Sequence, residues 1–265
     1  MSSDELQRVE FLSDWYLKEQ LDFDKRLIRY RYETIKSKLV GKKCLELGPA
    51  EGEMIQFLIQ DFEQLTVVEG SSELLAKIPD RYNVTKVHSL FEEFEPEYAF
   101  DTIILEHVLE HVDDPVCLLM RVKEWLTSDG RLFLGVPNGN SIHRLAAVKM
   151  GILDNPCQLN PRDHALGHRR VYTPVTFRAD IEKSGLNVIE MGGVYFKPLS
   201  NGQIQEYWTE EMIQGFFELG KDFPDFAAIQ AALSETPDRA ALQRRAADFA
   251  PDIAALRYLD LLGMT

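Results

Sequence analysis

The chain places acidic and glycine residues in a pattern suited to holding a nucleoside. Glu46-Leu47-Gly48-Pro49-Ala50-Glu51-Gly52 stops an apolar run at a glycine turn. A second apolar run closes on Glu69, roughly 20 positions further on, where an acid can accept hydrogen bonds from a ribose. Gly48 stands where a strand must turn without a Cβ so that backbone can approach a ligand, and Gly52 permits close packing as a helix begins. A second set of chemical groups is histidine. His107, His143, His164 and His168 are candidates for a general base, because an imidazole titrates near neutrality. His111 follows His107 by four residues, a spacing that suits a metal on one helical face. No convincing third ligand accompanies the pair in sequence, so no metal is expected.

These groups need a scaffold that brings strand ends together. Strand-like runs occur at 43–47, 65–69, 83–87, 102–105, 131–136 and 187–191, with helical patterns or turn signals between them. Such alternation predicts an α/β fold of Rossmann-like, doubly wound type around a mainly parallel sheet. Residues 1–40 read as an N-terminal helical cover, 41–220 as the core, and 221–265 as a helical C-terminal extension. Inside the core, 137–174 is rich in Asn, Pro, His and Arg with little periodicity, and is expected to be a substrate loop. Gly192-Gly193 reads as a bend.

Three segments, taken in order, resemble class I S-adenosylmethionine-dependent methyltransferases. Glu46 to Gly52 resembles their motif I, and Glu69-Gly70 their motif II. Leu109-Glu110-His111-Val112 with Asp113-Asp114-Pro115 is similar to motif IV of the group related to ubiquinone biosynthesis. The resemblance implies a seven-stranded sheet with S-adenosyl-L-methionine as cofactor and S-adenosyl-L-homocysteine as product. It places Glu46, Gly48, Gly52, Glu69, Gly70 and Glu106 around the cofactor, with Ser89 and Leu90 beside the adenine. Arg31, from the N-terminal cover, would hold the cofactor carboxylate. A nicotinamide dinucleotide is the rival: Ala50 replaces the second glycine of GxGxxG, and Glu51 and Glu53 put negative charge where a pyrophosphate needs N–H groups. A sulfonium nucleoside carries no phosphate to be repelled.

On the acceptor side, methyl transfer is an in-line displacement that needs proximity, alignment and, for a hydroxyl, a base. His164-Ala165-Leu166-Gly167-His168-Arg169-Arg170, followed by Tyr172, is similar to a segment preceding the late helix in these enzymes. Its histidines and Arg169 would attract an anionic or polyhydroxyl acceptor. Tyr195, Lys197 and Asn201 follow the double-glycine bend and join His143 and Tyr16 as candidate substrate contacts. The expected reaction is O-methylation of a sugar or secondary metabolite. N-methylation, a dinucleotide oxidoreductase and a non-catalytic scaffold are the alternatives.

Composition narrows the partners. The 265 residues carry 29 basic and 43 acidic side chains, a net charge of −14 that repels nucleic-acid backbones and anionic membranes. Cys44, Cys117 and Cys157 form no CxxC pair, and the first residues have no basic, apolar leader pattern. A cytoplasmic protein with a small-molecule substrate is expected. The alanine-rich end is a candidate homodimer contact.

Overall fold

A computed structural model describes residues 2–19 and 22–234, with the side chains of 4–13 and 22–234. Two helices, α1 (Ser2–Glu19) and α2 (Asp22–Ile35), precede the first strand β1 (Lys43–Leu47). Alternation follows through α3 (Ile55–Asp61), β2 (Gln64–Glu69), α4 (Ser72–Lys77), β3 (Val84–His88), β4 (Phe100–Glu106), α5 (Pro115–Glu124) and β5 (Leu126–Val136). Two short helices, α6 (Ile142–Lys149) and α7 (Pro161–Ala165), lie within the stretch expected to be irregular. Then come α8 (Pro174–Lys183), β6 (Asn187–Gly193), α9 (Asn201–Tyr207), α10 (Glu210–Asp222) and β7 (Ile229–Ser234).

The strands form one seven-stranded sheet in the order β3-β2-β1-β4-β5-β7-β6. Pairings from β3 to β5 are parallel; β7 is inserted antiparallel between β5 and β6. The doubly wound, mainly parallel expectation therefore holds. The C-terminal part differs: residues 229–234 are a wholly buried strand rather than helix, and the expected boundary at 221 falls inside α10. Residues 235–265 of that extension lie outside the described residues. Gly192 and Gly193 end β6 instead of bending away from it; a Cβ on Gly193 would sit 2.5 Å from Ala227 Cβ, so the glycine lets another segment pass close.

Period-two alternation puts successive strand residues on opposite faces. Leu45, Leu47, Ile103, Leu105, Leu132 and Leu134 face one core, where α5 and α8 contribute Leu118, Leu119, Phe177 and Ile181. Cys44, Ile104 and Phe133 face the other, against Tyr32 and Ile35 of α2 and Ile55 and Leu58 of α3. A third cluster ties α2 to the late helices through Phe23, Tyr30, Tyr195, Ile204 and Phe217. Chain order reverses between β1 and β4, which opens a crevice at their carboxyl ends.

Candidate active site

The crevice is flanked by the turns that leave β1 and β4. Gly48 has φ +70°, and its N–H donates to the Val68 carbonyl at 2.9 Å. A Cβ there would lie 2.9 Å from Val108 Cγ2, so both conformation and space select glycine. The next turn residue, Ala50, is also left-handed (φ +48°), and its N–H donates to Glu69 Oε2 at 3.1 Å. Ser71 N–H donates to the other oxygen at 3.0 Å. Glu69 is buried at the end of β2, and burial raises its pKa against the opposing pull of the Ser71, Ala50 and Gly70 N–H groups. Its carboxylate is thereby fixed in orientation, with lone pairs left for a ligand.

Glu69, Gly70, Ser89 and Leu90 line one cavity with Gly48 and Ala50. Leu90 supplies a buried apolar wall, and the Ser89 hydroxyl donates to the Leu90 carbonyl at 2.9 Å. Val9 and Leu12 of α1 cover this cavity. Glu10 fastens the helix by accepting from Ser71 Oγ at 2.8 Å and Ser72 N–H at 2.7 Å. Gly52 lines neither this cavity nor the next; its φ of +81° and the Ile55 and Ile78 side chains 3.1 Å from a Cβ give it a packing role.

A second cavity meets the first at Gly48, Ala50, His107, His111 and Leu166. At one end Arg31 Nη1 bonds Glu106 Oε2 at 2.5 Å, and Gln230 Nε2 donates to Glu106 Oε1 at 2.7 Å. Through both of its oxygens Glu106 holds the buried Arg31 in place, and it lines the second cavity beside it. Gly135 makes room for the pair, since a Cβ there would fall 1.7 Å from Glu106 Oε2. Glu46 stands in the same wall, buried, with Oε2 unpartnered. Burial first, then the charges of Glu106 and Glu69, push its pKa up to about 8. Gln230 was not foreseen, because it belongs to the strand that composition disguised as helix.

At the junction His107 adopts φ +57°, a left-handed conformation uncommon outside glycine. Its Nδ1 lies 2.9 Å from Oε1 of Glu110, which is fully buried. Further along, His143 Nδ1 contacts the Lys197 carbonyl at 3.1 Å, and Lys197 Nζ donates to Asn201 Oδ1 at 2.9 Å. Burial pushes the Lys197 pKa down to about 8, and the His143 pKa, lowered by burial and by Lys197, to about 3. Tyr195 and Ser141 also line this cavity, each with a buried hydroxyl lacking a partner among the described residues. Buried polar atoms are rarely left unpaired, so four such atoms lining one cavity (on Glu46, Glu110, Ser141 and Tyr195) mark a place suited to a polar ligand.

Not every candidate arrives here. His164 is exposed on α7 and lines neither cavity. Arg169 is consumed by Glu5, by Asp113 and by the His111 carbonyl, fastening α1 to the loop instead of facing an acceptor. Tyr172 is a core residue, edge-on to Phe177, with its hydroxyl donating to Asp180 at 3.2 Å. The side chain of Tyr16 lies outside the described residues. His168 does reach the second cavity, held by Asp163 Oδ1 at 3.2 Å from its Nδ1. The fold also supplies what the metal reading lacked in sequence: Glu110, His111 and His168 bring ligand atoms within 4.8 Å of one another.

A profile of methyltransferase domains matches residues 18–191 of the chain. The ubiquinone biosynthesis O-methyltransferase of Aeromonas salmonicida is 25% identical over 178 residues, covering 62% of this chain and 70% of that protein. Its counterpart from Xanthomonas euvesicatoria is 23% identical over 189 residues, covering 66% and 74%. Among solved structures, N-methyltransferase NodS from Bradyrhizobium japonicum, in complex with S-adenosyl-L-homocysteine, superposes with a TM-score of 0.54 at 16% identity, covering 88% of this chain and 98% of that one. The plantazolicin methyltransferase BpumL gives the same TM-score at 13% identity, covering 88% and 98%. The chain therefore belongs to the methyltransferase domain family and is a class I S-adenosylmethionine-dependent methyltransferase.

Proposed function

We propose that the protein methylates a hydroxyl oxygen of a small molecule. The observation that carries this is the His107–Glu110 pair at the junction of the two cavities. The buried carboxylate favours a proton on His107 Nδ1, which leaves Nε2 as the acceptor. An acceptor hydroxyl in the second cavity gives its proton to that nitrogen as the oxygen attacks. The second cavity has a volume of about 370 Å³, the size of a small-molecule pocket. The O-methyltransferase names of the relatives from Aeromonas and Xanthomonas point the same way.

S-adenosylmethionine, when bound, supplies a methyl group on a sulfonium. The chain's own residues bind and align it. Glu69 accepts from the ribose hydroxyls, Leu90 and Ser89 flank the base, Arg31 meets the carboxylate and Glu46 the ammonium. Val9 and Leu12 keep water from the nucleoside. The test is transfer of a labelled methyl group to a panel of phenols, catechols, sugars and amines, with products identified by mass spectrometry. His107→Gln is expected to lower kcat by roughly 10²- to 10⁴-fold with unchanged affinity for S-adenosylhomocysteine, while His164→Ala leaves both unchanged. Methylation of amines alone, or full turnover by His107→Gln, would overturn the reading.

A further inference from the structure

One stretch of the second cavity's wall carries a positive charge that methyl transfer by His107 does not use. Lys197 lines the cavity, partly buried, and its Nζ donates to Asn201 Oδ1 at 2.9 Å. That partner is a neutral amide, and among the described residues no carboxylate forms an ion pair with the ammonium. A desolvated cation without a counter-charge is costly, and burial accordingly lowers the Lys197 pKa to about 8.

The charges that act on Lys197 cancel one another. Arg162 Nη2 meets Asp24 at 3.3 Å and Arg144 Nη1 meets Asp163 at 3.1 Å, so each guanidinium has its own carboxylate. Asp24 also accepts from Asn201 Nδ2, and Asp163 accepts from the Asn160 N–H and meets His168. His143 adds no second cation: its Nδ1 donates to the Lys197 carbonyl at 3.1 Å, and burial holds the ring neutral. An independent observation comes from two hydroxyls lining the same cavity. Tyr195 is 1% exposed and Ser141 5%, and neither hydroxyl has a partner among the described residues. Each can donate to an anionic oxygen, and the Tyr195 ring is held in place against Phe23 and Tyr30.

We propose that the acceptor is a hydroxy acid, its carboxylate paired with Lys197 and its hydroxyl directed to His107. One ammonium accompanied by neutral hydroxyl donors matches the single charge of a carboxylate, whereas a phosphate monoester, at close to two charges, would outweigh it. Leu27, Ile28 and Val194 supply apolar wall for the carbon skeleton. In the transfer the hydroxyl proton passes to His107 Nε2, the oxygen–methyl bond forms as the sulfur–methyl bond breaks, and the carboxylate stays unmodified. The hydroxyl half of this assignment rests on the O-methylation reading; the carboxylate half does not.

The test titrates benzoate, benzamide and phenyl phosphate calorimetrically into the full chain saturated with S-adenosylhomocysteine, so that the cofactor's own carboxylate is already in place. Benzoate is expected to bind at least tenfold more tightly than either of the others. Lys197→Met keeps the apolar stem without the charge and should abolish the preference over benzamide, with affinity for S-adenosylhomocysteine unchanged; Lys197→Arg should restore part of it. Because a variant could lose its fold, the wild type is also acetylated at its amines: benzoate should protect Lys197 and leave the exposed Lys42 reactive. Turnover of hydroxy acids is then compared with that of their amides, and kcat/KM in Lys197→Met should fall at least tenfold for the acids alone, through KM. Benzoate bound no better than benzamide, tighter binding of phenyl phosphate, equal losses for acid and amide, an unprotected Lys197, or a methyl ester as product would each overturn the inference. Failure of every hydroxyl acceptor to be methylated would overturn the O-methylation reading instead, and the benzoate titration would still decide the role of Lys197.

Discussion

Replacing Glu46 with glutamine should stabilise the cofactor-free protein at alkaline pH far more than at acid pH. Glu46 is buried beside Glu106 and Glu69, with one oxygen unpartnered among the described residues, and its pKa stands at about 8 against the ordinary 4.5 of a glutamate. A carboxyl raised in the folded state supports the fold below pH 4.5 and withdraws that support as pH climbs through 8. From those two values, the charge costs on the order of 1 kcal/mol at pH 5.5 and on the order of 4–5 kcal/mol at pH 8.5, since each pKa unit is worth roughly 1.4 kcal/mol. The glutamine variant carries no such titration, so the stability gap between it and the wild type should widen by roughly 3 kcal/mol, or about 6–12 °C in Tm for a domain of this size. Melting curves of both proteins, followed by circular dichroism at pH 5.5, 7 and 8.5, measure the gap. The acids held below their ordinary pKa, Glu110 and Asp163, titrate on the acid side of this window and do not mimic the effect. A gap that stays constant with pH would refute the argument from burial. If Glu46 also meets the cofactor ammonium, binding of S-adenosylhomocysteine at pH 7 releases protons in the wild type and none from this position in Glu46→Gln. Calorimetry in buffers of different ionisation enthalpy reads that difference.

Two further substitutions address the nucleoside end. Glu69→Ala should weaken S-adenosylhomocysteine binding by roughly 2–4 kcal/mol through loss of two charge-assisted hydrogen bonds, and unchanged affinity in a folded variant would reject the ribose contact. Gly48→Ala forces a Cβ against Val108 at a φ of +70°; a destabilisation of about 1–2 kcal/mol in urea unfolding is expected, with reduced cofactor affinity.

Much of the nucleoside half was legible in the chain because its determinants are local. The apolar run of β1 matches its strand from Lys43 to Leu47, and Glu69 closes β2 as expected. Gly48 announces itself because a left-handed turn against a neighbouring wall excludes other residues. The acceptor half was less legible. Arg169 and Tyr172 have the residue types of a binding site, yet one is spent on Glu5 and Asp113 and the other is buried in the core. Nothing in its own segment reveals the partners of Arg169, which come from elements far along the chain, whereas Tyr172 is drawn inward by Phe177 and Asp180 of the helix that follows it. Gln230 sits on a strand whose alanines permit helix equally well, and its β form is set by pairing with β5 and β6 on either side.

The sequence by itself determined the order of the strands from β1 to β6, the glycine turn, the acid that follows it and hence the kind of cofactor, since periodicity and backbone conformation act over a few residues. Only the tertiary structure decided that Glu106 serves Arg31, that His107 is backed by a buried Glu110, and that His168 crosses 57 positions to stand beside His111. Those meetings depend on where the crevice opens when the sheet reverses between β1 and β4, a property of the packed whole that no short stretch encodes.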